Sequence, residues 1–589
     1  MLKDISSSYR YHSKRGKAIL AEPRGSNSLR LAVLSDHVVP RLQSILASCL
    51  EEKSLSAEVY ESDFGTYQIE VLDKSSALYE FNPDIIYLNL CSQAFRERFY
   101  SLSLSEKESF AESYFEEITG IYTPLADQGK SIILNTFPQI EERIFGEDSP
   151  CVLNSLSSNL NRLNQLVISK VKSNPNLYLL DVGFISSRLG LLNWYHEKSW
   201  YQAKIPFHPF NAVCLAKALS DILAAIRGKL LKCIVLDLDN TMWGGIIGDD
   251  GVDGIKVGPG GEGEVFSHFQ NYIKTIHEKG VLLAVCSKNE EENAKIPFNS
   301  HPHMIIKEED IVCFIANWTD KASNIRQISL SLNLGLDSFV FLDDNPVERA
   351  QVKDALPQVV VPELPEDNSE WVSFLDRLNL FNSFGFTDDD LKRSQMYKEE
   401  AVRVQAKTKY QNINEFLISL DINMEINPFR ENDVARIAQL LQRSNQFNLR
   451  TQRLTEGDCR MVINNPGSYL GLSVKLEDKF GDYGLVSVVN CRRESQNLFI
   501  DEFAMSCRVL KRGVEEAIFE YLINYCRENE IQFMRGEYLK TPKNNLVKEL
   551  YGTLGFIKLE ETESSSLWEL SVMDTQVPTH FINVRRPND

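Results

Sequence analysis

The sequence predicts a multidomain α/β protein, and three observations support this fold class. Apolar strands alternate with amphipathic helices in the first third of the chain, as in a doubly wound parallel sheet. The apolar run Ile234–Leu236 ends in two aspartates, and parallel strands place ligand sites at that end. Three strand-like runs with hairpin turns follow between 469 and 507. A chain of 589 residues has room for three or four such domains.

Composition and charge exclude several functional classes. The chain is 43% hydrophobic and 25% charged, which is typical of globular proteins. Its net charge of −19 argues against a general nucleic-acid binder, because neutralising phosphates requires a basic face. No apolar run approaches membrane-spanning length, and residues 1–15 lack the apolar core of a signal peptide. Eleven cysteines without C-x-x-C pairs indicate reduced thiols. We therefore expect a cytoplasmic protein that has neither nucleic acid nor membrane as a partner.

A polar leader, residues 1–28, precedes a predicted first domain at 29–229. Its strand candidates are LRLAVLSD, AEVYESD, PDIIYLNLC, KSIILNTF and NLYLLDV. Their position and order resemble an SGNH-hydrolase-like domain with a flavodoxin-like sheet. A working SGNH enzyme carries a G-D-S turn after its first strand, whereas this turn reads Ser35-Asp36-His37. No D-x-x-H element stands near the end of the domain. We therefore predict a domain that is not a hydrolase, in which His208 is structural.

The predicted second domain, 230–370, carries four polar groups at successive strand ends or helix starts. They are Asp237 and Asp239 with Thr241, then Ser287, then Lys321, and finally Asp343 with Asp344. A carboxylate pair, a hydroxyl, a lysine and an acidic pair in this order resemble the four motifs of haloacid dehalogenase (HAD) phosphotransferases, which have a Rossmannoid core. Only a glycine-rich flap and one helix fit between the first two motifs, so we predict no large cap. Trp243 either lines the mouth of the site or belongs to the core.

Phosphoryl transfer explains why these residue types are needed. The phosphoryl group is negatively charged, so a carboxylate can attack it only where cations neutralise that charge. We predict that Asp237 is the nucleophile and Asp239 the general acid and base. Mg²⁺, which prefers oxygen ligands, would bind Asp237, Asp343 and the backbone carbonyl of Asp239. The predicted phosphate-binding residues are Thr241, Ser287 and Lys321.

A charged helical linker, 371–420, leads to a predicted third domain at 421–573 and a tail at 574–589. Its strands YLGLSVKLED, GLVSVVNCRR and NLFIDEFAMSC precede the turn CRVLKRG, and N…L-Y-x-x-L-G-F follows. This arrangement resembles the GNAT acyltransferases, whose glycine-rich turn binds the pyrophosphate of coenzyme A. Lysine replaces the first glycine here, which puts ordinary acetyl-CoA binding in doubt. The turn could instead bind the single phosphate of a phosphopantetheine arm through Arg508, Lys511, Arg512 and Gly513.

The strings DLDNTMWGG, FLDDNPVER, SNQFNLRT, DKFGDYGLV and MSCRVLKRGVEE resemble the FkbH-like family. That resemblance implies glyceryl transfer from 1,3-bisphosphoglycerate to an acyl carrier protein, with loss of both phosphates, for polyketide-type biosynthesis. The alternative is a Mg²⁺-dependent HAD phosphatase of a small phosphorylated metabolite, with the GNAT-like domain as a binding platform. An acetyltransferase with an accessory phosphatase and a catalytically silent scaffold are further alternatives.

A thiolate is the natural side chain to accept the acyl group of an acyl phosphate, as a thioester. We favour Cys507, which precedes a basic turn and a helix N-terminus, over Cys286, which strand alternation turns away from Ser287. Carrier proteins are usually acidic, so docking needs a local basic patch. The candidates are Arg450, Arg453, Arg508, Lys511, Arg512, Lys540 and Lys543.

Overall fold

The structure, a computed structural model, describes residues 2–22, 28–174, 176–382, 412–444, 446–452, 454–541 and 544–585. The chain divides into two compact units, Met1–Arg227 with Thr455–Asp458, and Gly228–Leu454 with Cys459–Asp589. The predicted fold class, a multidomain α/β chain, is confirmed. Most of the predicted helical linker, including 387–409, lies outside the described residues.

The first unit contains a five-stranded parallel sheet in the order β2-β1-β3-β4-β5. This order is that of flavodoxin-like sheets, so the predicted topology is confirmed. Each predicted strand is present, because short β-branched and aliphatic runs fit a sheet buried on both faces. The strands are β1 (Leu29–Ser35), β2 (Ala57–Glu61), β3 (Ile85–Asn89), β4 (Ser131–Asn135) and β5 (Leu177–Leu180).

The predicted leader is not a separate segment, because it supplies the first helix of this unit. The side chain of His12 on α1 lies 3.0 Å from the Ser48 hydroxyl on α2, and Arg15 donates to Glu51 at 2.8 Å. The helices are α1 (Leu2–Leu20), α2 (Leu42–Glu51), α3 (Tyr67–Leu72), α4 (Ala77–Phe81), α5 (Ser92–Tyr100), α6 (Leu104–Glu108), α7 (Phe110–Ala126), α8 (Leu156–Lys172), α9 (Val182–Leu189), α10 (Leu191–Trp194), α11 (Glu197–Ala203) and α12 (Ala212–Ile226).

One apolar stretch is longer than the sequence analysis allowed. Residues 209–226, which include α12, are long and apolar enough to cross a membrane by length and composition. Within that stretch 67% is buried inside the protein, as in the core helix of a globular domain. His208, expected to be structural, accepts the N–H of Phe210 just before α12.

The second unit begins with a four-stranded parallel sheet in the order β8-β7-β6-β9. Between β6 and β7 the chain forms only two helices, so the predicted absence of a large cap is confirmed. The strands are β6 (Cys233–Leu236), β7 (Leu282–Ser287), β8 (Ile311–Ala316) and β9 (Phe339–Leu342). The helices are α13 (Ile247–Gly254), α14 (Gly261–Glu278), α15 (Glu291–Ser300), α16 (Lys321–Leu332), α17 (Pro346–Ala355) and α18 (Trp371–Leu378).

The remainder of the second unit contains an eight-stranded mixed sheet in the order β15-β16-β14-β13-β12-β11-β10-β17. The predicted tail is not separate, because β17 pairs in parallel with β10. The strands are β10 (Asn423–Pro428), β11 (Tyr469–Asp478), β12 (Gly481–Glu494), β13 (Asn497–Met505), β14 (Phe533–Leu539), β15 (Ile557–Glu561), β16 (Ser565–Ser571) and β17 (Asn583–Arg585). The helices are α19 (Ile413–Ser419), α20 (Val434–Arg443), α21 (Glu456–Asn464), α22 (Val514–Glu528) and α23 (Leu550–Thr553).

Strands β13 and β14 separate along their length. They pair in parallel only from Asn497 to Ile500, and beyond that point the segment Phe447–Leu449 lies between them. The N–H of Leu449 donates to Phe503 on β13 at 3.2 Å, and its carbonyl accepts from Leu539 on β14 at 2.9 Å. The slot between the two strands is therefore filled by the chain itself.

Candidate active site

The carboxyl edge of the four-stranded sheet brings the predicted HAD residues together. Asp237 follows β6, Ser287 ends β7, Lys321 begins α16 after β8, and Asp343 follows β9. The ammonium group of Lys321 lies 2.8 Å from Asp237 Oδ1 and also contacts Asp343 Oδ2. The Ser287 hydroxyl hydrogen-bonds Asp237 as well. All four side chains are buried, at 6% relative exposure or less.

Burial in this cluster shifts the acid–base equilibria of its members. Burial raises the pKa of Asp237 to about 7, the charge of Asp343 adds to the shift, and Lys321 and Ser287 oppose it. Burial also raises the pKa of Asp343. For Lys321 burial lowers the pKa, but the charges of Asp237 and Asp343 outweigh it, so the net shift is upward. Lys321 is therefore a permanent cation between two carboxyl groups.

Asp239 is held apart from this cluster by three donors. Its Oδ1 accepts the indole N–H of Trp243 at 3.1 Å and the backbone N–H of Ile247 at 3.0 Å. Its Oδ2 accepts from the Asn289 amide at 2.9 Å, and that amide also reaches Ser287 Oγ at 3.3 Å. These contacts fix the second carboxylate of the D-x-D pair beside the nucleophile. Trp243 is fully buried, so the core alternative for this residue is correct.

Thr241, predicted to bind phosphate, contacts Asp344 at the edge of the site. It is fully buried, its hydroxyl accepts the N–H of Asp344 at 3.1 Å, and it lies 3.4 Å from a carboxylate oxygen of Asp344. It therefore braces the loop after β9. Arg349 braces the same loop from α17, donating to the carbonyls of Asp343 and Asp344 at 2.8 and 2.7 Å.

The carboxylates fit a hard divalent cation. Oxygen atoms of Asp237, Asp343 and Asp344 lie within 4.8 Å of one another, which suits a single Mg²⁺. The side chain of Asp239 is not in this group, because its oxygens are used by Trp243, Ile247 and Asn289. Of the predicted metal ligands, the side chains of Asp237 and Asp343 come together, and Asp344 joins them as a third carboxylate that the sequence analysis did not include. The predicted contribution of Asp239 is its backbone carbonyl, which stays a prediction.

Sequence reasoning missed the charged neighbours of Lys321. Glu348 on α17 contacts Lys321 with one oxygen, and its other oxygen lies 2.8 Å from Lys288 Nζ. Glu348 thus joins the two lysines beside the site. Its position in the sequence could have indicated this role, because Glu348 follows the Asp343–Asp344 pair by one helical turn.

Of the two cysteines proposed as acyl acceptors, the structure describes the side chain of Cys286 but only the backbone of Cys507. Cys286 is fully buried and its thiol donates to the Lys321 carbonyl at 3.7 Å, away from the carboxylates. Burial raises the pKa of this thiol strongly, which disfavours a thiolate. The backbone of Cys507 lies in a short 3₁₀ turn after β13, whereas its side chain lies outside the described residues.

The turn predicted to bind phosphopantetheine already contains its own charges. Arg512 contacts the Tyr483 hydroxyl and lies 3.8 Å from the fully buried Asp478. The Glu515 carboxylate lies in the first turn of α22 and accepts the N–H of Lys511 at 3.5 Å. A carboxylate at a helix N-terminus takes the place that a phosphate would occupy. Arg512 and Glu515 would have to give up these contacts for a phosphate to bind at this turn.

Some of the other residues in the predicted basic patch also make contacts within the protein. Arg508 contacts the Ser506 hydroxyl and the Tyr483 carbonyl, whereas Lys511 is exposed. Gly513 caps α22 in a left-handed conformation. Arg450 pairs with Asp501 and Glu537, both at 2.9 Å. Arg453 and Lys543 lie outside the described residues.

Comparisons with known proteins agree with this description. A family model described as FkbH, N-terminal domain, matches residues 30–224. The N-terminal part of the protein BF1531 from Bacteroides fragilis, which contains a phosphatase domain complexed with Mg, is 33% identical. That match covers 64% of this chain and 99% of that chain, with a TM-score of 0.60.

Two acetyltransferase structures match shorter parts of the chain. The ribosomal-protein-S18-alanine N-acetyltransferase from Escherichia coli is 16% identical and covers 25% of this chain and 94% of its own, with a TM-score of 0.20. The PaiA N-acetyltransferase from Thermoplasma acidophilum, in complex with coenzyme A, is 10% identical. Its match covers 25% of this chain and 99% of the acetyltransferase chain, with a TM-score of 0.21. No curated protein matches the chain.

The four-stranded parallel core and its cluster of Asp237, Lys321 and Asp343 define a protein of the HAD class. The similarity to BF1531 over nearly that whole structure, together with the match to the N-terminal domain, identifies the lineage within that class. The chain belongs to the FkbH-like family.

Proposed function

We propose that this protein is a Mg²⁺-dependent phosphatase in which Asp237 accepts the phosphoryl group. The observation that carries the proposal is the contact of Lys321 with both Asp237 and Asp343, beside three carboxylates that fit one cation. The phosphatase domain of the related Bacteroides protein, with its bound Mg, supports the same function.

The side chains of this site can divide the reaction between them. Asp237 attacks phosphorus and forms an aspartyl-phosphate, while Lys321 and the Ser287 hydroxyl hold the phosphoryl oxygens. Asp239 gives a proton to the leaving oxygen and then takes one from the attacking water. Asp237, Asp343 and Asp344 would hold Mg²⁺, which when bound would further neutralise the phosphoryl charge.

Replacing Asp237 tests this proposal directly. We expect Asp237→Asn to lose phosphate release from a phosphomonoester or acyl phosphate by at least about a thousandfold, because the amide is not a nucleophile. The matched control is Asp249→Asn, which removes the same charge from an exposed position on α13 and should keep full activity. Wild-type turnover in folded Asp237→Asn protein would refute the assignment.

We further propose that phosphate removal is coupled to glyceryl transfer from 1,3-bisphosphoglycerate to the phosphopantetheine arm of an acyl carrier protein, in the cytoplasm and for polyketide-type biosynthesis. Membership of the FkbH-like family supports this reaction. In this proposal the phosphate of the arm binds at the turn before α22, through Arg508, Lys511, Arg512 and Gly513, and Arg512 exchanges its contact with Asp478 for the phosphate. Thiol transfer through Cys507 belongs to this proposal.

Mass spectrometry of the intact carrier distinguishes the coupled reaction from a plain phosphatase. After incubation with 1,3-bisphosphoglycerate and enzyme, we expect a glyceryl group on the carrier, and Asp237→Asn should leave phosphate on any transferred group. Phosphate release with an unmodified carrier would instead identify a phosphatase of a small phosphorylated metabolite. Loss of loading in Cys507→Ala, with phosphate release retained, would place the thioester step on that cysteine.

A further inference from the structure

Three side chains with different donor atoms meet in the first unit, at the carboxyl edge of the five-stranded sheet. Asp36 and His37 follow β1, and Cys91 follows the neighbouring strand β3. One carboxylate oxygen, one ring nitrogen and the sulfur all lie within 4.8 Å of one another. His37 and Cys91 are 5% and 6% exposed, so the cluster is shielded from solvent.

Hydrogen bonds fix the orientation of these groups. Asp36 Oδ1 lies 2.8 Å from His37 Nδ1 and accepts the backbone N–H of Cys91 at 3.1 Å. The Asn89 amide nitrogen lies 3.3 Å from His37 Nε2.

The carboxylate of Asp36 is the unusual member of this group. Its side chain is only 10% exposed, and no lysine or arginine among the described residues lies within ion-pair distance of it. Buried charges in proteins are normally paired or bound to a metal ion. Among the described residues the ion-pair partner of Asp36 is His37, at 2.8 Å, and a cation bound by all three side chains would also balance the charge of the carboxylate.

A small cavity of about 20 Å³, which has room for a water molecule, adjoins the cluster. His37 and Cys91 form part of its wall, together with Asn89, Asn135, Trp194 and Tyr195. A water molecule in this cavity would therefore lie beside the two side chains that carry nitrogen and sulfur donors. Three protein ligands with one position left open are typical of reactive zinc sites rather than structural ones.

We propose that Asp36, His37 and Cys91 form a second metal site, for Zn²⁺ or a similar transition-metal ion, with its fourth position open to the cavity. The sulfur and nitrogen donors distinguish it from the all-carboxylate group around Asp237, which suits Mg²⁺. Binding releases the thiol proton of Cys91 to solvent, and the imidazole keeps one proton on the ring nitrogen that does not bind. The site would bind a small oxygen or nitrogen ligand at the open position.

Titration of the chelator-treated full-length protein with Co²⁺ tests the site, because a thiolate bound to cobalt gives a charge-transfer absorption that carboxylates cannot give. We expect this band to saturate at one equivalent and to disappear when Zn²⁺ is added. Cys91→Ser should lose the band, and His37→Gln should weaken cobalt binding at least tenfold. The matched control Cys151→Ser changes an exposed cysteine of the same unit and should keep the band.

Two further measurements keep the result unambiguous. Asp237→Asn should retain the cobalt band, which separates this site from the phosphatase site and from the proposed function. Zn²⁺ should protect Cys91 of the wild-type protein, but not Cys151, from alkylation, and this requires no variant that could misfold. Absence of the thiolate band, its survival in Cys91→Ser, or equal alkylation of Cys91 with and without Zn²⁺ would overturn the proposal.

Discussion

At the scale of single residues, the chemistry depends on how Asp237 is charged. Its carboxyl group is buried beside Asp343, and Lys321 is shared between them and Glu348. One lysine therefore serves three carboxylates, and the cluster has an excess of negative charge. A divalent cation would relieve that excess, which connects the geometry of the site to metal dependence.

This excess predicts a pH-dependent stability in the absence of metal. The pKa of Asp237 rises from 3.8 to about 7 on folding, so the folded state keeps a proton that the unfolded state has lost. Between about pH 4 and 7 the metal-free protein should therefore lose stability as the pH rises. The loss should appear as a fall in melting temperature, in which each kcal/mol corresponds to about 2–4 °C for a domain of this size.

Thermal unfolding in a chelator, from pH 4.5 to pH 8, measures this effect. Asp237→Asn is the reference, because Glu515, whose pKa burial also raises to about 7, titrates equally in both proteins. We expect the melting temperature of the wild type to fall relative to the variant as the pH rises, and Mg²⁺ to restore it in the wild type only. Parallel curves would show that Asp237 is not destabilised by burial.

Motif residues of the site were predictable, whereas their supporting contacts were not. Asp237, Ser287 and Asp343 each follow a strand of apolar residues, and the ends of parallel strands converge at one edge. Glu348 and Asn289 are polar residues in helical or loop segments, where sequence alone does not distinguish a solvated side chain from one turned inward. The addition of Asp344 to the carboxylates beside Asp237 depends on side-chain orientation, which spacing does not determine.

At the scale of elements, the slot between β13 and β14 is the feature that sequence analysis did not anticipate. The segment Phe447–Leu449 is too short to show a strand period, and its partners are distant in sequence. By contrast, all five strands of the first sheet were predicted, because each is a compact apolar run between turn residues. The local pattern of apolar residues identifies a strand. An inserted segment is instead defined by the two strands between which it lies, and its own sequence does not show them.

Asn544 attaches this inserted segment to its neighbour. The residue is fully buried, and its amide donates to the carbonyls of Asn448 at 3.0 Å and Leu539 at 2.8 Å. We expect Asn544→Ala to lower the free energy of unfolding of this domain by about 2 kcal/mol, because two buried carbonyls lose their donor. Denaturant titration followed by circular dichroism measures it.

The control for this change is Asn529→Ala, at an exposed position where one amide contact to the Tyr525 carbonyl is lost. We expect that variant to change the unfolding free energy by less than about 0.5 kcal/mol. An Asn544→Ala protein as stable as this control would mean that the segment is not held between the two strands.

At the scale of the whole molecule, charge bears on how a carrier protein could dock. The chain carries a net charge of −19, and an acidic carrier needs a local positive surface to approach it. Arg450 and Arg512 already pair with internal carboxylates, which leaves fewer free cations in the predicted patch than the sequence suggested. Under the proposed function, a carrier would dock mainly through basic residues other than these two.

Detection of a phosphoryl group on Asp237 tests the central claim most directly. Enzyme mixed with Mg²⁺ and substrate is quenched within milliseconds and its peptides are analysed by mass spectrometry, with Asp239→Asn included because it should slow hydrolysis of the intermediate. We predict phosphate on the peptide containing Asp237, more of it in Asp239→Asn, and none in Asp237→Asn. Phosphate release without label at Asp237, or a label on another residue, would contradict the account.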